Sequence, residues 1–176
     1  MTKRVFSLII ALILPITLVC GCSANRLTAD EYQDEVISNV KNWFKVMDDW
    51  TYYCIDNIMV EGEDGTYDYS FEKIPEPKSE LEKKLNAVED ALDKIDKIGK
   101  PPAEYEDFHK KLKNGVSLER KWCSLQQDLL SAKSEEEFNA ANKAIEDHLD
   151  STSDVSLPQV YIEVITKWNV NVGELW

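Results

Sequence analysis

The chain has 176 residues, with 33 acidic against 20 basic side chains and a formal net charge of −13. A surface this negative repels nucleic acid phosphates and anionic lipid headgroups, which excludes both as ligands unless a local basic patch exists. The nearest candidates, Lys83-Lys84 and Lys110-Lys111, sit among carboxylates and read as solvated helix faces.

Residues 1–22 open with Met-Thr-Lys-Arg, continue as an apolar run and end in Leu18-Val19-Cys20-Gly21-Cys22. A positive start, an apolar stretch too short to span a bilayer comfortably, and small residues at the end describe a secretory signal. Pro15 in the middle of the run also argues against an uncleaved membrane helix. Val19-Cys20-Gly21-Cys22 resembles the lipobox of bacterial lipoproteins, in which a diacylglycerol is attached to the cysteine and the preceding peptide is removed. The resemblance implies lipidation at Cys22, which follows the small Gly21; Cys20 follows Val19 and fits less well. It also implies a domain held by its acyl chains on the extracytoplasmic face of the cell membrane. Cleavage before Cys22 takes 21 of the 176 residues and leaves 155; losing Lys3 and Arg4 moves the charge from −13 to −15. The expected organisation is a signal peptide over 1–21, a lipidated tether over 22–29, and one domain over 30–176, long enough for a real core.

Helical punctuation begins at the tether. Ser/Thr-x-x-Glu capping boxes are expected at Thr28/Glu31, Ser79/Glu82 and Ser134/Glu137, and Pro101-Pro102 is suited to a helix start. The first helix is expected over 30–60, its apolar stripe running through Val36, Val40, Trp43, Met47, Trp50, Cys54 and Ile58. A second, over 80–98, carries the seam Leu81, Leu85, Val88, Leu92 and Ile95. A third, over 103–132, uses Tyr105, Phe108, Leu112, Leu118, Trp122, Leu125 and Leu129, with Asn114-Gly115 as a place to bend. A fourth starts at Glu135 with Phe138, Ala141, Ile145 and Leu149. Residues 62–78 form a long loop in which 66–71 alternate like a strand, and 160–172 alternate too, so the two could pair. Ser156, Pro158 and the helical spacing of Val160, Val164 and Trp168 favour a fifth helix over 157–168. The fold class expected is all-α, an up-and-down bundle of four to five helices after a cleaved signal peptide. Ile98 to Tyr105, with Phe108, His109 and Leu112, is similar to the Pro-Pro helix junction of small helical lipoproteins of bacteria, which implies architecture and carries no functional residue.

Two thiols remain in the processed chain, Cys54 and Cys123. At 1.5 Å per residue they lie nearly level, about 36 and about 30 Å along their helices. They are either a disulfide, which requires the first and third helices to be neighbours, or two buried reduced cysteines. Glu106-x-x-His109 has the spacing of one half of a di-iron carboxylate site, but His148 lacks a Glu three residues before it, and Phe108 turns the pair to the flanks of its helix. No metal or cofactor is expected. Hydrolase elbows, phosphate-cradling glycine loops and Cys-x-x-Cys in the mature chain are all missing from the sequence.

Aromatic residues are in surplus. Trp43, Trp50, Tyr52 and Tyr53 either form a surface platform for cell-wall sugar or a partner's apolar patch, or pack around a long first helix. The function expected is a non-catalytic binding or structural role at the envelope, with the membrane engaged through lipid and an envelope protein or cell-wall partner. An envelope enzyme would need convergent polar groups in a pocket. A substrate-capture lipoprotein of a transporter would need a ligand cleft, commonly between two lobes.

Overall fold

The structure is a computed structural model that describes residues 26–170 apart from Asp64 and Pro77. The leader, both candidate lipidation cysteines Cys20 and Cys22, half of the tether and Trp176 lie outside the described residues. The protein is mostly helical, and among the described residues no helix is long and apolar enough to cross a membrane.

Helix α1, Ala29–Asn57, starts with a complete capping box. The Glu31 backbone N–H donates to Thr28 Oγ1 at 3.3 Å, and the Thr28 N–H donates to Glu31 Oε2 at 2.9 Å. Its buried stripe is Tyr32, Val36, Val40, Trp43, Trp50 and Cys54. The helix stops short of the expected residue 60, because the next residues are used as a strand. Strand β1, Met59–Glu61, pairs antiparallel with β2, Tyr67–Tyr69, in the register Met59↔Tyr69, Val60↔Asp68 and Glu61↔Tyr67. Gly65 closes the hairpin at a φ of +80°, open to glycine at no steric cost. The strand read in the loop is real, then, but its partner is the end of α1 rather than the C-terminal segment. A local hairpin closes a far shorter loop than pairing with residues 160–172 would.

Helix α2, Ser79–Asp96, buries Leu81, Leu85, Val88, Ala91, Leu92 and Ile95. The box expected from Ser79 does not form: Ser79 is already helical, and Lys78 before it has a ψ of 5°. A capping residue needs extended backbone to turn its side chain onto the third N–H. After α2, the Leu27 N–H donates to the Lys100 carbonyl at 3.0 Å, tying the start of the domain to the Pro101-Pro102 junction. A 3₁₀ turn, Ala103–Tyr105, leads into α3, Glu106–Ser131. Helix α3 runs unbroken through Asn114-Gly115. A Cβ at Gly115 would come within 3.1 Å of Leu157 Cα, so the glycine lets another backbone seat directly on the helix.

Helix α4, Glu135–Thr152, has half a box: Ser134 Oγ accepts from the Glu137 N–H at 3.2 Å, while Glu137 Oε2 accepts from Lys133 instead of Ser134. Helix α5 is Leu157–Lys167, with Pro158 in its first turn, as the helical reading of this segment expects. Each of α1, α2 and α3 packs on the next, and α5 joins α3 back to α1. These four enclose the core, while α4 lies against α3. Helices α1 and α3 meet across the core through large rings: Trp50 stands edge-on to Trp122 at 6.1 Å between centroids, and Tyr32 stacks on Tyr105 at 5.4 Å. Cys54 and Cys123 are both buried free thiols in this arrangement, not a disulfide.

Candidate functional site

The residues singled out in the sequence do not assemble into one site. Trp43 and Trp50 are each 1% exposed and belong to the core, Tyr52 is 60% exposed, and Tyr53 is half-buried with Lys84 Nζ 5.2 Å from its ring. The four therefore point in different directions and present no common platform. A continuous helix forces this result, since neighbours in sequence are turned about 100° apart. Glu106 and His109 also part company. Glu106 Oε1 accepts from Arg26 at 2.6 Å, whereas His109 Nδ1 is hydrogen-bonded to the Tyr32 hydroxyl at 3.0 Å. Burial lowers the His109 pKa, with Lys113 adding to the effect; both favour the neutral ring.

A different cluster lies beneath the hairpin. There, α1, the two strands, α3, α4 and Pro158 enclose a cavity of about 360 Å³. Its floor comes from α3, where Glu119, Trp122 and Gln126 fall at intervals of three and four and so share the inward face. Its wall is Trp50 and Cys54 of α1, and its roof is Tyr67 and Tyr69 of β2. The hairpin register places Asp68 between these rings, at the border of the cavity. Helix α4 supplies Asn142, whose Nδ2 donates to Glu146 Oε1 at 3.0 Å.

Several polar groups in this chamber lack partners. Glu119 is 8% exposed, and its carboxylate has no hydrogen bond or ion pair among the described residues. Burial alone pushes its pKa up to about 7. Gln126 is 1% exposed with Oε1 unpaired, while the buried Trp50 Nε1 lies beside the Tyr69 hydroxyl. Unmade hydrogen bonds of this kind cost about 1–3 kcal/mol each. The Tyr69 hydroxyl lies beside Cys54, Gln126 and Trp50, and burial raises its pKa. Burial likewise raises the Cys54 thiol to about 12, outweighing the opposing influence of Tyr69 and Lys84. A thiol held so firmly protonated is a poor nucleophile.

A second depression, about 530 Å³, runs between α3 and α5. Its charges answer one another, Lys111 Nζ pairing with Glu163 Oε2 at 3.2 Å, and exposed Val155 and Ile162 give it apolar patches. The hairpin cavity is the better candidate because its polar atoms are buried and unsatisfied.

Glu119 and Gln126 escaped the sequence reading because the α3 stripe was drawn through Leu118. In the structure Leu118 is only half-buried, and the inward line runs Leu112, Val116, Glu119, Cys123, Gln126 and Leu130. Two polar residues seven apart on an apolar seam were the available signal. No family model, curated protein or solved structure matches the chain.

Proposed function

We propose that this protein is an extracytoplasmic lipoprotein, anchored to the cell membrane through acyl chains on Cys22, whose helical domain binds a ligand without transforming it. The observation that carries the anchoring is the leader ending Gly21-Cys22, placed at the end of an apolar run too short to span. Two acyl chains hold a soluble domain at the surface unaided, each buried CH₂ contributing about 0.8 kcal/mol, and so relieve an acidic bundle of any need to grip anionic lipid. Confinement to the membrane plane raises the effective concentration of the domain near envelope partners.

Binding rather than catalysis is supported by the makeup of the cavity. A carboxylate with a near-neutral pKa can exchange a proton, but the thiol that lines the same cavity, Cys54, is kept protonated by burial. The cavity also favours a second reading, in which the lipoprotein captures a small molecule for a transporter, since its size falls in the range of ligand pockets.

The test is the Cys22→Ser variant of the full chain, followed by fatty-acid labelling and membrane fractionation. The expected result is loss of the label and release from the membrane fraction. Retention at the membrane with trimming as before would overturn the anchoring.

A further inference from the structure

We infer that the cavity beneath the hairpin binds a small organic cation, an ammonium group on an apolar body, with the charge seated between Glu119 and the surrounding aromatic rings. The inference rests on the binding role proposed above and names the class of ligand.

Three acidic residues, Asp68, Glu119 and Glu146, line the cavity, and no Lys, Arg or His does. Arg120, the next residue along α3, is turned away and spends its guanidinium on Asp93 and Asp96 at 2.6 and 2.7 Å. The Glu119 carboxylate therefore faces a chamber with no countercharge of its own. Trp50 and Trp122 stand edge to face in the wall and floor, with Tyr67 and Tyr69 above, and an ammonium over such faces is attracted by their quadrupoles. An anion would meet the opposite field on every side. A neutral sugar would find Gln126 and Asn142 and could donate hydroxyls to the carboxylate, but it would bring no charge to balance it.

Space and entry agree with this ligand. Glu119 is nine-tenths buried yet not sealed, and one side of the chamber is the two-stranded hairpin, whose Tyr67 is 42% exposed. Met47, Met59 and Ile145 give the apolar body somewhere to lie.

Binding a cation favours the ionised carboxylate, so affinity should rise with pH as Glu119 loses its proton. The other ionisable groups around it are Cys54 on α1, Tyr67, Asp68 and Tyr69 on β2, Glu146 on α4, and Cys123 on α3 itself. Burial holds Cys54 and Tyr69 protonated across the neutral range. His148 on α4 points elsewhere, its Nε2 donating to the Leu118 carbonyl at 3.0 Å.

The experiment titrates the full chain, purified in detergent, with benzyltrimethylammonium, benzyl alcohol and benzoate, following tryptophan fluorescence, to which the cavity's Trp50 and Trp122 contribute. Saturable binding of the cation is expected, with benzyl alcohol and benzoate weaker by about tenfold or more. Affinity for the cation should climb between pH 6 and pH 8. Glu119→Gln should lose about tenfold or more in affinity and the pH dependence together, and Tyr67→Leu, on an exposed strand, should lose a smaller factor. Thermal melts of each variant establish that the fold is kept. Equal binding of benzyl alcohol and the cation, or a cation affinity unchanged in Glu119→Gln, overturns the cation while leaving a binding cavity. Failure of all three probes on a folded protein overturns the ligand class, whereas the anchoring stands or falls separately on the Cys22→Ser fractionation.

Discussion

The two ends of the bundle use the same kinds of residue to opposite effect. At one end Tyr32 stacks on Tyr105, and Trp168 stands 5.8 Å from Tyr105 and 5.1 Å from Phe108. Lys167 Nζ lies over two of these rings, and Gln33 donates to the Tyr105 hydroxyl. Here the aromatic surplus is spent on packing, and among the described residues of this end only Trp168 Nε1 is left buried and unpaired. At the hairpin end Trp50 and Trp122 also meet, but they border open space and share it with an unpaired carboxylate and an unpaired amide oxygen. Aromatic content therefore does not mark function by itself. What separates the two ends is whether the polar atoms among the rings find partners, and unsatisfied groups persist at sites because binding, not folding, compensates them.

Substitutions at the two ends should respond differently. The largest effect is expected at the packed end, where Phe108→Ala removes a ring that is 4% exposed and should cost about 3–5 kcal/mol in urea unfolding, with no dependence on pH. At the hairpin end the sign reverses. The folded-state pKa of Glu119, about 7, lies above its ordinary value of 4.5, so the folded protein holds a proton that the unfolded chain has lost between those limits. Stability from this group is complete below about pH 4.5, falls through pH 7 and is gone above it. Glu119→Gln should therefore be near neutral at pH 4 and stabilising by about 3 kcal/mol at pH 8, as unfolding at both values would reveal. Between the two ends, Gly115→Val should cost about 1–3 kcal/mol by pressing a side chain into the Leu157 backbone, with the thermal midpoint as readout. The smallest effect belongs to Thr28→Ala, which removes the α1 cap at the packed end and should cost about 1 kcal/mol in the same melts.

Much of the architecture was legible in the sequence because helix periodicity is a one-dimensional signal. The seam of α2 from Leu81 to Ile95 and the stripe of α1 from Val36 to Cys54, apart from the half-buried Met47, are buried as their spacing implies. Helix α5 was legible for the same reason, with Pro158 marking its first turn. Partner choice was harder. Residues 66–71 alternate as a strand does, but nothing in that alternation says which chain lies alongside, and the end of α1 gave up helix to pair with it. The candidate site was least legible. Leu118 is apolar and sits one position from Glu119, so a rule that seeks apolar residues draws the stripe through the wrong one. The true face includes Gly115 and Glu119, chosen by the close seat of α5 and by the cavity, neither of which is a local property of α3.

The central claim is that Glu119 stands in the cavity as an acceptor awaiting a cation, and proton release on binding tests it most directly. Calorimetric titration with benzyltrimethylammonium at pH 6, repeated in buffers of different ionisation enthalpy, counts the protons that leave. The account predicts close to one proton per cation bound at that pH, falling towards zero at pH 8 and abolished in Glu119→Gln. Binding with no proton release at pH 6 would contradict it.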